Sequence, residues 1–266
     1  GTVDPVRPAP PKSLADMDSL PEWAQTTRSA TLWAHSGDSA GALLVLPDSS
    51  RVQITGQREN GRAPAFCADV GPGNQGLAGW VSLDELQPVD APKRPVASSR
   101  GGSRLYLSPE PPARFFATML KGAQDSERET RVPTSVTIAQ AILESEWGRS
   151  LLSIKGQNYF GIKALAGPGP AGVISMDTWE VIGGKNLTVN AGFKAYHNAY
   201  ESIMDHGRFL ADNPRYAAAF RTTDAREFAR CIQSGGYATD PAYSTKLISL
   251  MDKYDLYRYD LSLHED

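Results

Sequence analysis

The chain has 266 residues, enough for one large domain or two ordinary ones, and its 41% hydrophobic and 21% charged residues suit a globular protein that buries a core. Its net charge of −3 is spread evenly, residues 1–100 holding 9 Lys+Arg against 11 Asp+Glu and residues 101–266 holding 18 against 19, so neither half is a basic surface; this argues against nucleic acid or anionic lipid as the main partner. No apolar run reaches the roughly 18–20 residues of a membrane span, and no charged-then-apolar leader stands at the N-terminus, although a chain that begins Gly-Thr leaves export open.

Residues 1–27, with "DPVRPAPPKS", are proline-rich, lack an apolar period and read as an extended segment without chemistry. Over residues 28–90, short β-type runs alternate with turn residues: "ATLWAHS", "GALLVLPDSS", "RVQITGQ", "PAFCADV" and "GLAGWVSLDEL". That pattern predicts a small all-β barrel. In "GALLVLPDSSRVQITGQ", "PAFCADV" and "GWVSLDELQ" the stretch resembles the bacterial SH3-type domains attached to cell-wall hydrolases, and the resemblance implies a wall-binding or spacing module. Trp33 and Trp80 are candidates to line a ligand groove, though an aromatic on a small barrel is more often core. A linker over residues 91–103, within "DAPKRPVASSRGGS", follows.

From residue 104 to 266 the pattern turns helical. "PPARFFATMLKGAQ" opens on proline and places Phe115, Phe116, Met119, Leu120 and Ala123 on one face. "VPTSVTIAQAILESEWG" starts with a proline and a Thr/Ser cap, turns Val136, Ile138, Ala141 and Ile142 inward, and is expected to end at Gly148. Period-two alternation across "GVISMDTWEVIGGKNLTVNAGFKAY" predicts a β-hairpin over about 172–196 with "GGK" as its turn. Helices are expected in "AYESIMDHGRFLADN", "PRYAAAF", "DAREFARCIQSG" and "AYSTKLISLMDKYD".

Glu144 is the first chemical candidate. Helical contacts at i+3 and i+4 place it over Gln140 and Ala141 and near Trp147. A carboxyl beside indole and small apolar groups loses hydration, which raises its pKa as a general acid requires. Glu146 lies about 200° round the helix, so the two acids do not flank one bond. Taken alone, a Glu near a helix end is ordinarily a solvated surface residue.

The motifs around it change that reading. "VPTSVTIAQAILESEWGRSLLSIKGQNYFGIKA", "TWEV", "FKAYHNAYESIMDHGRFL" and "GGYATDPAYSTKLI" resemble, in order and spacing over about 104–262, the glucosaminidases of glycoside hydrolase family 73, the flagellar and autolysin-type peptidoglycan hydrolases. The resemblance implies an α+β chain: a lysozyme-like, mainly helical catalytic domain with a β-hairpin lobe, preceded by the SH3-like barrel. It implies that Glu144 is the catalytic acid of an endo-β-N-acetylglucosaminidase cutting the β-1,4 bond between N-acetylglucosamine and N-acetylmuramic acid. Family members usually carry a small residue where this chain has Glu146.

Glycoside hydrolysis generally employs two carboxyl groups. The family's proposed second carboxylate falls on Glu180 in "TWEV", with Asp177 a lesser candidate; an exposed strand glutamate is the ordinary alternative. Tyr237 in "GGYATDPAY" matches the family's motif tyrosine, placed to orient the substrate acetamido group or to stabilise positive charge at the anomeric carbon, with Tyr243 the alternative. In "GQNYFGIKA", Asn158 is a candidate to bond a sugar amide and Tyr159 or Phe160 to stack on a sugar face; Trp147 completes the substrate-binding set. Asp205 and His206 look like a helix-packing pair.

"GPGNQG" and "GPGPAG" have Gly-x-Gly-x-x-Gly spacing but lie outside any strand-to-helix turn, and no Gly-x-Ser-x-Gly, His-Glu-x-x-His or paired Cys-x-x-Cys occurs. No metal site and no cofactor are expected. Cys67 and Cys231 are expected as separate buried thiols. The expected partner is the peptidoglycan glycan strand, met by a monomer secreted to the cell wall or periplasm, or delivered by a phage; a muramidase, a lytic transglycosylase or a non-catalytic wall-binding protein is the alternative.

Overall fold

Strands of four to six residues between turn formers can each cover only a small core, so they must pair into one sheet to bury it. The computed structural model of the protein describes residues 13–37, 41–68, 70–71, 75–92, 112–182, 185–261 and 263, without the side chains of 179–187. The chain divides into two compact units, Gly1–Ala117 and Thr118–Asp266.

The first unit holds β1 (Trp23–Thr26), β2 (Ala30–Trp33), β3 (Ala42–Leu46), β4 (Arg51–Ile54), β5 (Arg62–Cys67), β6 (Leu77–Ser82) and β7 (Leu86–Pro88). They form one antiparallel sheet in the order β3-β2-β6-β5-β4-β1-β7. Among the described residues no pairing joins β3 to β7, so the strands make a sheet with two ends where a closed barrel was expected. One end is three residues long and finishes at Pro88, which has no N–H to extend a ladder. Leu32, Leu46, Val52, Val81 and Leu86, each fully buried, form the core beneath it.

Part of the segment expected to be extended belongs to this sheet. Leu14 is fully buried in a short 3-10 turn, Ser13 Oγ donates to the Leu83 carbonyl at 2.9 Å, and β1 sits between β4 and β7. Isolated apolar residues, with no run of them, hid it. Trp80 is fully buried and is core, not groove; Trp33 is half-buried with the Arg62 guanidinium 4.4 Å above its ring. Burial pushes the Cys67 thiol up to about 12, so it is chemically quiet. Cys231 is also unbridged but only half-buried, so just one thiol is buried as expected.

The long helix α1 (Pro112–Thr130) spans the boundary between the units, and α2 (Thr134–Ser145) and α3 (Leu151–Gly156) follow. A two-stranded antiparallel ribbon comes next, β8 (Gly172–Ile182) and β9 (Lys185–Ala195), with Gly172 opposite Ala195 and Ile182 opposite Lys185. The unit closes with α4 (Ala199–Asp212), α5 (Ala225–Ser234) and α6 (Tyr243–Lys253). The "PRYAAAF" stretch forms two 3-10 turns instead of the expected helix, and α3 is a helix that periodicity over six residues does not reveal.

Ten of the twelve residues of α2 are buried, because it packs on α5, α6 and the turn Leu256–Tyr259. A helix buried on nearly every side must satisfy its leading N–H groups from within the protein. The N–H and hydroxyl of Thr134 donate to Glu127 Oε2 at 2.9 and 2.7 Å, and those of Ser135 donate to Asp260 at 2.6 and 2.7 Å. Leu261 N–H reaches back to Glu127 at 3.1 Å, and Gln124 Nε2 donates to the Tyr259 carbonyl at 3.0 Å. The end of α1, the start of α2 and residues 259–261 are thereby tied together.

Burial pushes Glu127 up to about 7, with the Asp260 charge adding to the effect, and burial pushes Asp260 up to about 6. A carboxyl whose folded pKa is raised contributes stability that is complete below the ordinary carboxylate range and is lost as pH rises through the folded value. The unit is therefore expected to lose on the order of 3–6 kcal/mol between pH 4 and 7.5, the lower figure for one carboxyl and the upper for both. Thermal melts across that range should show Tm falling in the parent and a flatter profile in Glu127→Gln; parallel profiles would count against the assignment.

Candidate active site

The far end of α2 is shaped by a tight reversal. Glu146, Trp147 and Gly148 have φ of 53°, 63° and 72°, three left-handed residues in succession. The amides of Glu146 and Trp147 both turn back to the Ile142 carbonyl, and Ser145 Oγ accepts from the Gly148 N–H at 2.8 Å. For the two side-chain-bearing residues this conformation costs about 1–2 kcal/mol each. The helix thus stops at Ser145, not at Gly148, and Trp147 is not one helical turn beyond Glu144. Its ring instead meets Tyr254 edge-on, with centroids 5.4 Å apart at 83°. Glu146 is the exposed C-cap.

Glu144, the penultimate residue of α2, is open to solvent on one side, while Tyr243 Oη donates to its Oε1 at 2.9 Å. Desolvation raises its pKa, and the Tyr243 hydrogen bond, which favours the carboxylate, offsets part of that rise. Tyr243, from the first turn of α6, is 3% exposed, and its hydroxyl accepts from Gln140 Nε2 at 2.9 Å. Gln140, fully buried, stands one turn before Glu144 on the same helix. These three side chains form one chain of hydrogen bonds from the interior to the solvent-facing carboxyl.

Tyr237 stacks on Tyr243, with centroids 5.4 Å apart and planes at 26°. Its position comes from the end of α5, where Gly236 has φ 79°, the Tyr237 N–H returns to the Ile232 carbonyl, and Arg215 Nε donates to the Gly235 carbonyl at 2.7 Å. The Tyr237 hydroxyl is held well above the ordinary phenol range by burial, then by the Glu144 and Tyr216 groups, so it stays protonated. Behind it His206 meets Tyr237 edge-on at 6.2 Å and stacks flat on Phe160 at 3.9 Å. Burial drives His206 down to about 3, which leaves it neutral at physiological pH.

The residues of "GQNYFGIKA" divide. Asn158 is 1% exposed; its Nδ2 donates to the carbonyls of Ile162 and Lys194, and its Oδ1 accepts from the N–H groups of Phe160 and Ile162. With every polar atom engaged, it organises the loop and has nothing left for a sugar amide. Phe160, 4% exposed, packs on His206 and offers no open face. Tyr159 is half-buried and retains surface. Asp205 and His206 share no hydrogen bond: Asp205 accepts from Lys194 Nζ at 2.9 Å and Tyr196 Oη at 2.6 Å, while the His206 ring packs on Phe160, so each has a structural part of its own.

Glu180 lies on β8 opposite Leu187, and its side chain is outside the described residues. Asp177 is exposed and accepts from Asn190 Nδ2 across the ribbon at 3.0 Å. Among the described residues no group of His, Cys, Asp and Glu could hold a metal ion, and no helix is long and apolar enough to cross a membrane. The supporting residues that sequence reasoning left without a role are Arg215, Tyr216 and, above all, Gln140. Its position four residues before Glu144 on the buried face was the available signal.

The family model described as mannosyl-glycoprotein endo-beta-N-acetylglucosaminidase matches residues 120–256. The exo-glucosaminidase LytG of Bacillus subtilis (strain 168) is 38% identical over 153 residues, 55% of this chain and 53% of that protein. The autolysin of Enterococcus faecalis (strain ATCC 700802 / V583) is 36% identical over 181 residues, 65% of this chain and 24% of that protein. The crystal structure of the catalytic domain of the autolysin Auto from Listeria monocytogenes superposes with a TM-score of 0.52 at 32% identity, over 61% of this chain and 92% of that one. The chain spans about half the length, or less, of these curated relatives.

Proposed function

Because the chain belongs to the mannosyl-glycoprotein endo-beta-N-acetylglucosaminidase family, we propose that it is a peptidoglycan hydrolase that cuts the β-1,4 bond between N-acetylglucosamine and N-acetylmuramic acid, with Glu144 as the general acid. The observation that carries this reading is the Glu144 carboxyl itself: solvent reaches it, burial of its surroundings raises its pKa, and a tyrosine hydroxyl fixes one of its oxygens. A carboxyl so held is protonated at a higher pH than a free one and presents that proton to a leaving oxygen.

In this reading Glu144 protonates the glycosidic oxygen as the C–O bond breaks, and Tyr237 orients the acetamido group or stabilises charge at the anomeric carbon. Glu180 is the second carboxylate, activating water if it stands far from Glu144; otherwise the acetamido oxygen of the substrate attacks. Tyr159 and Trp147, both half-buried, border the bound glycan, while Tyr243, 3% exposed, supports Glu144 from beneath. The strands of residues 28–90 serve as an SH3-like module that contacts the wall, joined by residues 91–103 to a lysozyme-like catalytic domain over 104–266. The chain acts as a monomer outside the cytoplasm, and its mechanism calls on no cofactor.

Mass spectrometry of digested peptidoglycan tests the bond. Fragments ending in reducing N-acetylglucosamine are expected. Reducing N-acetylmuramic acid would make the protein a muramidase, anhydro-muramic ends a lytic transglycosylase, and no fragments a wall-binding protein.

A further inference from the structure

We propose that Gln140 is a positioning residue that decides which oxygen of Glu144 carries the catalytic proton. The proposal rests on Glu144 being the general acid, and it follows from counting protons along the buried chain of hydrogen bonds. A tyrosine hydroxyl has one proton to give and lone pairs to receive. Gln140 Nε2 donates to Tyr243 Oη, which also bonds the Tyr237 hydroxyl; the Glu144 carboxyl is a stronger acceptor than a phenol, so the one proton of Tyr243 is directed onward, to Glu144 Oε1. Oε1 is thereby committed as an acceptor. When Glu144 is protonated, its proton sits on Oε2, the oxygen left free to meet the leaving group. No proton passes along the chain during the reaction. Glu144 gives its Oε2 proton to the glycosidic oxygen, and the carboxylate that remains keeps the Tyr243 bond already in place.

The amide orientation of Gln140 is what makes this device reversible in a test. Gln140 is fully buried and its Oε1 has no partner among the described residues, so only its N–H end is engaged. If the end facing Tyr243 were an acceptor instead, the tyrosine proton would turn inward and Glu144 would lose its donor. Among the described residues Tyr237, from the turn after α5, also bears on Glu144, while Glu146 stands two residues on along the same chain as the exposed C-cap; burial keeps the hydroxyls of Tyr237 and Tyr243 protonated. The Glu180 side chain lies outside the described residues.

The experiment is a set of pH–rate profiles on purified peptidoglycan for the parent, Gln140→Met, Gln140→Glu, Tyr243→Phe and the Gln140→Met/Tyr243→Phe double variant, with Glu144→Gln as control. Met keeps the bulk of Gln and removes the donor; Glu adds an acceptor that captures the tyrosine proton. Activity of a general acid falls as pH rises through its pKa, so loss of the Tyr243 donor, which favours the carboxylate, moves the alkaline limb upward. A shift of about half to one pH unit is expected for Gln140→Glu, whose acceptor draws the tyrosine proton inward, and for Tyr243→Phe, with a smaller shift in the same direction for Gln140→Met, which frees the hydroxyl to rotate; each should show a severalfold lower maximum rate. The double variant should behave like Tyr243→Phe alone, because Gln140 acts only through that hydroxyl.

An alkaline limb in Gln140→Met and Gln140→Glu that superimposes on the parent, whatever their melting temperatures, overturns the proposal. So does full additivity of Gln140→Met and Tyr243→Phe, since a merely structural glutamine would lower stability without moving the limb. An inactive parent, or an active Glu144→Gln, instead removes the general-acid reading on which the proposal rests, and either outcome is recognised independently of the Gln140 variants.

Discussion

Glu144→Gln is expected to reduce turnover on peptidoglycan by about 10³-fold or more while leaving the melting temperature within a degree or two. General-acid catalysis by one positioned group is worth about 10²–10⁴-fold, and the amide has no acidic proton to give. It keeps the volume of the carboxyl and an oxygen able to accept from Tyr243 Oη, so the 2.9 Å bond and the helix end persist. The variant should also retain its affinity for insoluble wall material, which separates loss of chemistry from loss of binding. A turnover within tenfold of the parent would remove Glu144 from the mechanism.

Tyr237→Phe is expected to lower kcat by about 30–100-fold with KM nearly unchanged. Removing one hydroxyl aimed at developing charge typically costs about 10²-fold or somewhat more, and the loss falls on kcat when the contact strengthens only in the transition state. The ring is held on three sides, by Tyr243 at 5.4 Å, Tyr216 at 6.1 Å and His206 at 6.2 Å, so phenylalanine should keep the packing. Because the hydroxyl stays protonated, the variant should not move either limb of the pH profile. A decrease smaller than about threefold would leave Tyr237 as a packing residue.

How much of this was legible in advance varies with the distance over which each feature is encoded. The ribbon β8–β9 and the body of α2 were readable because their periods recur locally in "GVISMDTWEV" and "TSVTIAQAIL". The end of α2 was not. Gly148 looks like the terminator, but a serine hydroxyl three residues earlier captures the Gly148 N–H and winds Glu146 and Trp147 into left-handed backbone, conformations that sequence seldom signals for side-chain-bearing residues.

The tyrosines illustrate a second limit. Tyr237 and Tyr243 both sit in "GGYATDPAY", and only the packing of α6 on α2 puts Tyr243 on Glu144 and Tyr237 one ring behind. Asn158 and Phe160 failed as open groove residues for a related reason: a short loop folded over His206 uses up their polar atoms and faces. In the first unit, β1 escaped notice because a four-residue strand flanked by single apolar residues has no period to detect.

The ties among Glu127, Ser135 and residues 259–261 also set an order of events during synthesis. Ser135 and its partner Asp260 are 125 residues apart in the chain. At ribosomal speeds of about 5–20 residues per second, α2 waits on the order of ten seconds between its own emergence and that of the carboxylate that caps it. Throughout that interval the helix bearing Glu144 has open leading amides and lacks α6, which follows it by some hundred residues. The acid is therefore born without its tyrosine, and the nascent chain reaches the end of this unit before it holds an assembled site.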